Sequence, residues 1–461
     1  MADFKQLFKN KKVTVMGLGL LGRGVGDAVF LAECGAKLTI TDLKNKEQLK
    51  ESLKKLKKFE DIKYVLGEHQ VENFENADMI LKASGVALDS PYIAHAIKSG
   101  IPIEMDESLF AKLAPKVKII GVTGTRGKST TTVLIYEILS AFVKTSAGRR
   151  KLGNVYLGGN IKDTAALPLL KEVKDGDYVV FELSSWQLQG FGEAKISPHV
   201  SVFTNFMPDH MNYYKNDMEK YFADKSFIYK FQKPGDVLVL GPSMPARLNS
   251  RSGGKDRIRG AKGKIINADV KDIPKGWSVQ LKGEHNLENI ACALAISRSL
   301  GIPDDIAKET VENFKSPPGR LELVKAVKGV SIYNDTNSCT PEATTAALRA
   351  LGNSVKKNII LIIGGSDKDL SFADLYKYIL RYVKEVILIP GNGTDRILPD
   401  LKRLRISLHL ERDLKGVVKK AYTISKPGDI ILFSPAFTSF GMFDNEYDRG
   451  DKFMEILKDL K

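Results

Sequence analysis

Cysteine is scarce in this chain. Its three cysteines, Cys34, Cys292 and Cys339, are scattered through 461 residues. They offer neither a disulfide framework nor the paired spacing of a zinc site. Long apolar runs are missing too. None approaches the ~20 residues that a membrane-spanning helix needs. The opening stretch MADFKQLFKN has no apolar signal-peptide core. A reducing, cytoplasmic setting is expected, with no membrane insertion. No basic-and-aromatic motif of an RNA-binding sheet occurs either.

What the chain has in excess is positive charge. Lys and Arg number 70 against 55 acids, a net +15. Such a balance can attract nucleic acid. Yet the lysines are spread along the chain, as in Lys50, Lys54, Lys55, Lys57 and Lys58. The one dense run is Arg247 to Lys264, with Arg251, Lys255, Arg257, Arg259 and Lys262 among glycines. That run is expected to be a solvated loop. Polyanionic small substrates suit the same field, so no nucleic-acid partner is expected. The competing reading is a basic, nucleic-acid-binding ATPase. The apolar fraction of 43% is ordinary. The length suggests about three domains.

The most informative stretch is GVTGTRGKSTTT, residues 121–132. An apolar strand, Val117 to Ile120, runs into a glycine-rich turn with Gly121, Gly124 and Gly127. Lys128, Ser129 and Thr130 then open a helix with apolar Val133, Leu134, Ile138 and Phe142. This is the layout of a triphosphate cradle. Backbone N–H groups face the phosphates, the Lys reaches the outer oxygens, and the hydroxyl serves Mg²⁺. Val122 stands where the strict pattern has Gly, so the loop is a compressed variant.

Two further α/β blocks flank it. In the first, strand VTVMG enters Gly17-Leu18-Gly19-Leu20-Leu21-Gly22, and strand KLTITD ends at Asp42. That is a G-x-G-x-x-G fingerprint with an acid about twenty residues on. Alone it would suit an NAD-dependent oxidoreductase, but the spacing specifies only a phosphate-plus-sugar ligand. In the second block, strand DYVVFE ends in Glu182, a natural Mg²⁺ ligand beside a phosphate loop. The third block follows Pro317-Pro318-Gly319-Arg320 and alternates strands VSIYND, NIILIIGG, EVILIPG and DIILFSPA with helices. Asp335, Lys368 and Ser439 fall just past strand ends, where ligands bind in parallel sheets. The fold class expected is α/β with three domains. Residues 1–115 form a Rossmann-like N-terminal domain, 116–317 a central P-loop-type ATPase domain, and 318–461 a Rossmann-like C-terminal domain.

GVTGTRGKST, FELSSWQ, NFMPDHMNYY, GEHNLENIACALA, PPGRLE, YNDT and FSPAFTSF occur in this order. With them the chain resembles the Mur ligase family over nearly its whole length. The segments TPEATTAALRAL, GGSDKDLSF and SPAFTSFGMF point within that family to D-glutamate as the amino acid added. The resemblance implies an ATP-dependent amide ligase acting on UDP-N-acetylmuramoyl-L-alanine through an acyl phosphate, in peptidoglycan precursor synthesis. A relative taking another amino acid or a folate is the alternative.

The resemblance also implies roles. Gly124, Thr125, Gly127, Lys128, Ser129 and Thr130 would hold the ATP phosphates, and Ser129 also the metal. Glu182, His210 and Lys225 would be metal-site residues, Lys225 as a carbamylated lysine. His210, Lys225 and Lys128 would be catalytic. Asn286, Asn289, Arg320 and Asp335 would contact the nucleotide. Gly17, Leu18, Gly19 and Asp42 would take the UDP part, Asn160 the muramoyl part, and Lys368 and Ser439 the D-glutamate carboxylates. The resemblance implies Mg²⁺, small-molecule partners only, and a monomer. Departures from the family pattern are Arg126, Lys82-Ala83-Ser84-Gly85, Asn337, Cys339 and Glu446. Arg126 is expected beside the phosphates or pointing to solvent. An ordinary amphipathic helix would leave Lys225 in solvent.

Overall fold

Alternating apolar strands and helices assemble into three sheets. In the computed structural model every residue is described except 1, 146, 148–150, 245–257, 259, 440 and 461. Arg247, Arg251, Lys255, Arg257 and Arg259 of the basic run therefore lie outside the described residues. No helix among the described residues is long and apolar enough to cross a membrane.

The first sheet contains β1 (Lys12–Met16), β2 (Lys37–Asp42), β3 (Lys63–Leu66), β4 (Met79–Lys82) and β5 (Ile103–Glu104). Its order is β3-β2-β1-β4-β5, with every pair parallel. The direction of winding reverses between β1 and β4, which opens a crevice at their carboxyl ends. The second sheet contains β6 (Lys118–Thr123), β7 (Val155–Gly159), β8 (Tyr178–Glu182), β9 (Val200–Asn205), β10 (Val237–Ser243) and β11 (Lys264–Asn267). It is parallel, in the order β11-β10-β9-β6-β8-β7, so β6 lies between the strands that end at Glu182 and Asn205.

The third sheet contains β12 (Glu322–Val327), β13 (Val330–Asn334), β14 (Ile359–Gly364), β15 (Val383–Ile389), β16 (Ser407–Leu410) and β17 (Ile430–Phe433). Its order is β12-β13-β17-β14-β15-β16. All pairs are parallel except β12–β13. That antiparallel hairpin turns on Lys328 (φ 49°) and Gly329 (φ 80°). Two positive φ angles in sequence match the right-handed twist of a two-residue hairpin.

The chain divides into two compact units. One comprises Met1–Lys275 with Glu288–Val311, and the other Gly276–Leu287 with Glu312–Lys461. The first unit holds two sheets that share one apolar core, from Phe30 and Ile40 through Phe110 and Leu167 to Phe181 and Phe203. Phe110 meets Phe181 edge to face at 5.4 Å. In the second unit Ile359 to Ile363 are all buried. Each such side chain contributes roughly 1.5–3 kcal/mol on leaving water. A strand buried on both faces reads as a continuous apolar run, which is why it was legible. The architecture is a three-domain α/β fold.

Candidate active site

The phosphate loop lies between β6 and the helix Lys128–Lys144. Gly127, at φ 82°, precedes the first helical turn. A Cβ there would come 2.2 Å from Asn289 Oδ1, and one on Gly124 (φ 144°) 1.9 Å from Thr204 Oγ1. The loop is therefore clamped against β9 on one side and Asn289 on the other. Thr204 Oγ1 donates to the Arg126 carbonyl at 2.6 Å, and the Arg126 N–H donates to Asn205 Oδ1 at 2.8 Å. Thr125 Oγ1 and the Met207 backbone exchange contacts at 3.1 Å. Thr130 is buried. Asn289 Oδ1 accepts from Thr131 Oγ1 at 3.3 Å.

Lys128 Nζ donates to the carbonyls of Gly124 and Thr125, both at 3.1 Å. Lys225 Nζ donates to the same Gly124 carbonyl at 2.9 Å. Two amines thus share one oxygen. Lys225 lies on the helix Met218–Ser226 and is only 1% exposed, so it does not face solvent. Its Nζ sits 4.9 Å over the Tyr221 ring. Burial, reinforced by the Lys128 charge, holds its amine well below the usual lysine range.

Glu182 pairs with Val122 in the sheet, one step before the loop begins. Its Oε1 accepts from Asn160 Nδ2 at 3.0 Å, while Oε2 is buried without a partner. The Asn160 N–H also donates to the Glu182 carbonyl at 2.8 Å. His210 holds the left-handed conformation (φ 55°), which a residue with a Cβ adopts at a cost. Its ring lies 4.7 Å from that of Trp186, and Nε2 is 3.7 Å from Asp209 Oδ2. Arg126 is partly exposed beside the loop. It pairs with Asp209 at 2.8 Å. Asp209 and Tyr221 are parts of this site that sequence reasoning missed. The only signal was the neighbourhood of His210 and Lys225. Among the described residues no group of three or more His, Cys, Asp and Glu is placed to hold a metal ion.

The glycine loop after β1 lies in the same unit. Gly17 and Gly19 have φ of 90° and 67°. The Gly17 N–H donates to the Thr41 carbonyl at 2.8 Å. Asp42 ties two loops, accepting from the Gly19 N–H at 3.0 Å and the Lys44 N–H at 2.9 Å. Leu18 is buried. The segment carrying Asn160 abuts this loop. The Asp163 N–H donates to the Leu21 carbonyl at 3.0 Å, and a Cβ on Gly22 would come 2.2 Å from Asp163 Oδ1.

In the second unit, Asp335 is buried at the end of β13. It accepts from Ser338 Oγ at 2.6 Å, Ser434 Oγ at 2.7 Å and the Leu321 N–H at 2.9 Å. Burial pushes it up to about 6, against those donors and the adjacent Arg320. The loops after β14 and β17 are stitched together: the Ser366 N–H donates to Thr438 O at 3.0 Å and the Thr438 N–H to Ser366 O at 3.2 Å. This brings the segments of exposed Lys368 and buried Ser439 side by side. Arg396 clamps Asp367 and Asp369, on either side of Lys368, at 3.0 and 3.1 Å. Arg449 is fully buried and was missed. It donates to the carbonyls of Phe437 and Thr336 and to Cys339 Sγ at 3.3 Å. Asn337 donates to the Pro318 carbonyl at 3.2 Å. Glu446 opens the helix Glu446–Lys458. The helix Glu284–Ser299 carries both Asn286 and Asn289. Asn286 Nδ2 donates to the Lys282 carbonyl at 2.8 Å.

Comparison with known proteins meets this geometry. The chain matches the Mur ligase MurD-like N-terminal domain over residues 11–104, the Mur ligase middle domain over 122–297, and the Mur ligase glutamate ligase domain over 319–437. A UDP-N-acetylmuramoylalanine–D-glutamate ligase of Roseiflexus sp. (strain RS-1) is 36% identical, covering 97% of this chain and 98% of that protein. The same-named enzyme of Borreliella burgdorferi (strain ZS7) is 37% identical, with 98% of each covered. Among solved structures, a UDP-N-acetylmuramate-alanine ligase from Thermotoga maritima aligns with a TM-score of 0.63 at 19% identity. That alignment covers 98% of this chain and 100% of that one. A MurF ligase from the same organism, in complex with ADP, aligns at 0.56 and 18% identity, covering 98% and 96%. These two show the same fold. With full-length relatives above 30% identity and a matching domain in each third of the sequence, the chain belongs to the Mur ligase family.

Proposed function

We propose that this ligase joins D-glutamate to UDP-N-acetylmuramoyl-L-alanine at the expense of ATP, in peptidoglycan precursor synthesis. The observation that carries this reading is full-length similarity to D-glutamate ligases, combined with a clamped phosphate loop whose neighbours are a half-satisfied buried carboxylate and a buried amine. The domains are taken as 1–115, 116–317 and 318–461. The protein acts as a cytoplasmic monomer on small molecules.

The reaction has two steps. The alanyl carboxylate takes the γ-phosphoryl group of ATP, and ADP leaves. The amine of D-glutamate then attacks the acyl carbon, an amide bond forms, and phosphate departs with the proton lost to solvent. Lys128 turns from its loop carbonyls to the phosphate oxygens and stabilises the charge in transfer. Gly124, Thr125, Gly127 and Thr130 line the cradle. Asn286, Asn289, Arg320 and Asp335 contact the nucleotide. Gly17, Leu18, Gly19 and Asp42 take the UDP moiety. Asn160 orients the muramoyl part.

The orphaned Glu182 oxygen fits a divalent cation, which Ser129, His210 and a carbamylated Lys225 would help to hold. Mg²⁺ bound there would neutralise the phosphate oxygens. Lys225 suits a carbamate. Burial lowers its amine well below the usual lysine range, which favours the neutral form that adds CO₂ and releases one proton. The resulting anion offsets Lys128 and offers oxygen to a metal. Lys368 and Ser439 hold the two carboxylates of D-glutamate. Phosphate release with UDP-N-acetylmuramoyl-L-alanine and a panel of D- and L-amino acids tests the assignment. D-Glutamate should stimulate most. Preference for a neutral or cationic amino acid would overturn the substrate and implicate Glu446.

A further inference from the structure

Lys82 is a buried cation that the mechanism above does not use. It ends β4, opposite Met16 of β1. Those two strands flank the reversal in the first sheet, so Lys82 stands at the crevice where a ligand of this fold binds. It is 1% exposed. A lysine is almost never buried so completely without a specific reason.

Its contacts are local and definite. Nζ donates to the Val86 carbonyl at 2.7 Å and to the Ala83 carbonyl at 3.2 Å. The Ala83 N–H donates to the Met16 carbonyl at 2.9 Å, and the Val86 N–H to the Ala83 carbonyl at 3.1 Å. A Cβ on Gly17 would lie 2.9 Å from the Ala83 methyl. The turn 83–86 is therefore pressed against the glycine loop and pinned from beneath by Lys82. We propose that Lys82 is the electrostatic positioning residue of this crevice, fixing the 83–86 wall and placing a positive charge beneath the diphosphate of the UDP substrate. The inference rests on the reading of the first domain as the UDP site.

The charge can change without the wall moving. A neutral amine has two N–H groups, enough for both carbonyls. The ammonium has a third, which finds no acceptor among the described residues. Burial lowers Lys82 to about 8, with Asp106 opposing that fall. Asp106, at the start of the helix Asp106–Leu113, is the charged group that faces Lys82. Behind it stand Arg23 and the buried acids Asp27 and Glu107, both raised by burial and by Asp106. Asp42 and His69 lie on the β2 side of the glycine loop. An anionic diphosphate favours the ammonium. Binding near pH 8 should therefore draw a proton onto Lys82.

Titration calorimetry of the full chain with UDP-N-acetylmuramoyl-L-alanine, at pH 8 in two buffers of different ionisation heat, reads this directly. That ligand carries a diphosphate diester and a single alanyl carboxylate, neither of which titrates there. Wild type should take up about half a proton per ligand, since the free amine is half protonated at its own pKa. Lys82→Met should take up none and bind about tenfold more weakly. Lys82→Arg stays charged at every working pH. It should bind without uptake, and it keeps the test open if the Met variant does not fold. Equal uptake in either variant, or tight wild-type binding without uptake, overturns the proposal and leaves the ligase reading standing. Failure of wild type to bind this ligand overturns the UDP assignment and the proposal together.

Discussion

Lys128 and Lys225 place two nitrogens on the carbonyl oxygen of Gly124. Two ammonium charges at such range in a buried site repel, which favours loss of a proton from one of them. The buried one, Lys225, is the one whose protonated form is disfavoured. On the proposed reading, Lys128→Ala removes a charge needed as the phosphoryl group moves. Turnover should fall about a hundredfold or more, by comparison with removal of one preorganised donor. Steady-state phosphate release measures it, and near-normal turnover would remove the cradle assignment. Lys225→Ala should be almost inactive but partly rescued by acetate, whose carboxylate can enter the space left beside Tyr221. Wild type depleted of CO₂ should recover with bicarbonate. Full activity of Lys225→Ala without any additive would leave Lys225 a packing residue. The helix pattern alone did not show this burial, and only the family resemblance put Lys225 at the site. The helix Met218–Ser226 reads as polar, and Lys225 is buried by Gly124, Thr123 and Tyr221, contacts that sequence spacing does not encode.

At the scale of elements, the strands and the glycine turn before the helix Lys128–Lys144 were legible because their signals are local. A run such as Ile359–Gly364 can only be a doubly covered strand, and Gly124 and Gly127 mark a turn before a helix. The hairpin β12–β13 was not, since its turn, Lys328-Gly329, lacks the Asn or Asp that usually announces one. The pairing of Arg126 with Asp209 and the burial of Arg449 were equally hidden, because each joins segments far apart in the chain. The glycine loop gives an element-scale test. Gly127→Ala forces a Cβ into the left-handed region, costing about 1–2 kcal/mol, and drives it against Asn289. The helix Lys128–Lys144 has a large buried face and should survive. The apparent KM for ATP should rise at least about tenfold, with circular dichroism unchanged and the KM for D-glutamate little affected. Equal loss against both substrates would mean that the change acts on folding rather than on the cradle.

The whole molecule carries +15 while its proposed substrates are all anions. Spread over many lysines, that charge favours encounter with small polyanions, and salt should weaken it. The two compact units have separate cores, one built on the first two sheets and one on the third. A chain of this kind need not unfold in one step. Differential scanning calorimetry should therefore resolve more than one transition. The proposed UDP-site residues all belong to the first unit, so a ligand binding there stabilises that unit alone. At a hundred times its Kd, UDP-N-acetylmuramoyl-L-alanine should add about 2.7 kcal/mol. That should raise one midpoint by roughly 5 °C and leave the other in place. D-Glutamate, with its proposed site at Lys368 and Ser439, should do the reverse. A single transition moved equally by either ligand would show that the units unfold as one, and a midpoint for the first unit that ignores the UDP substrate would place its site elsewhere.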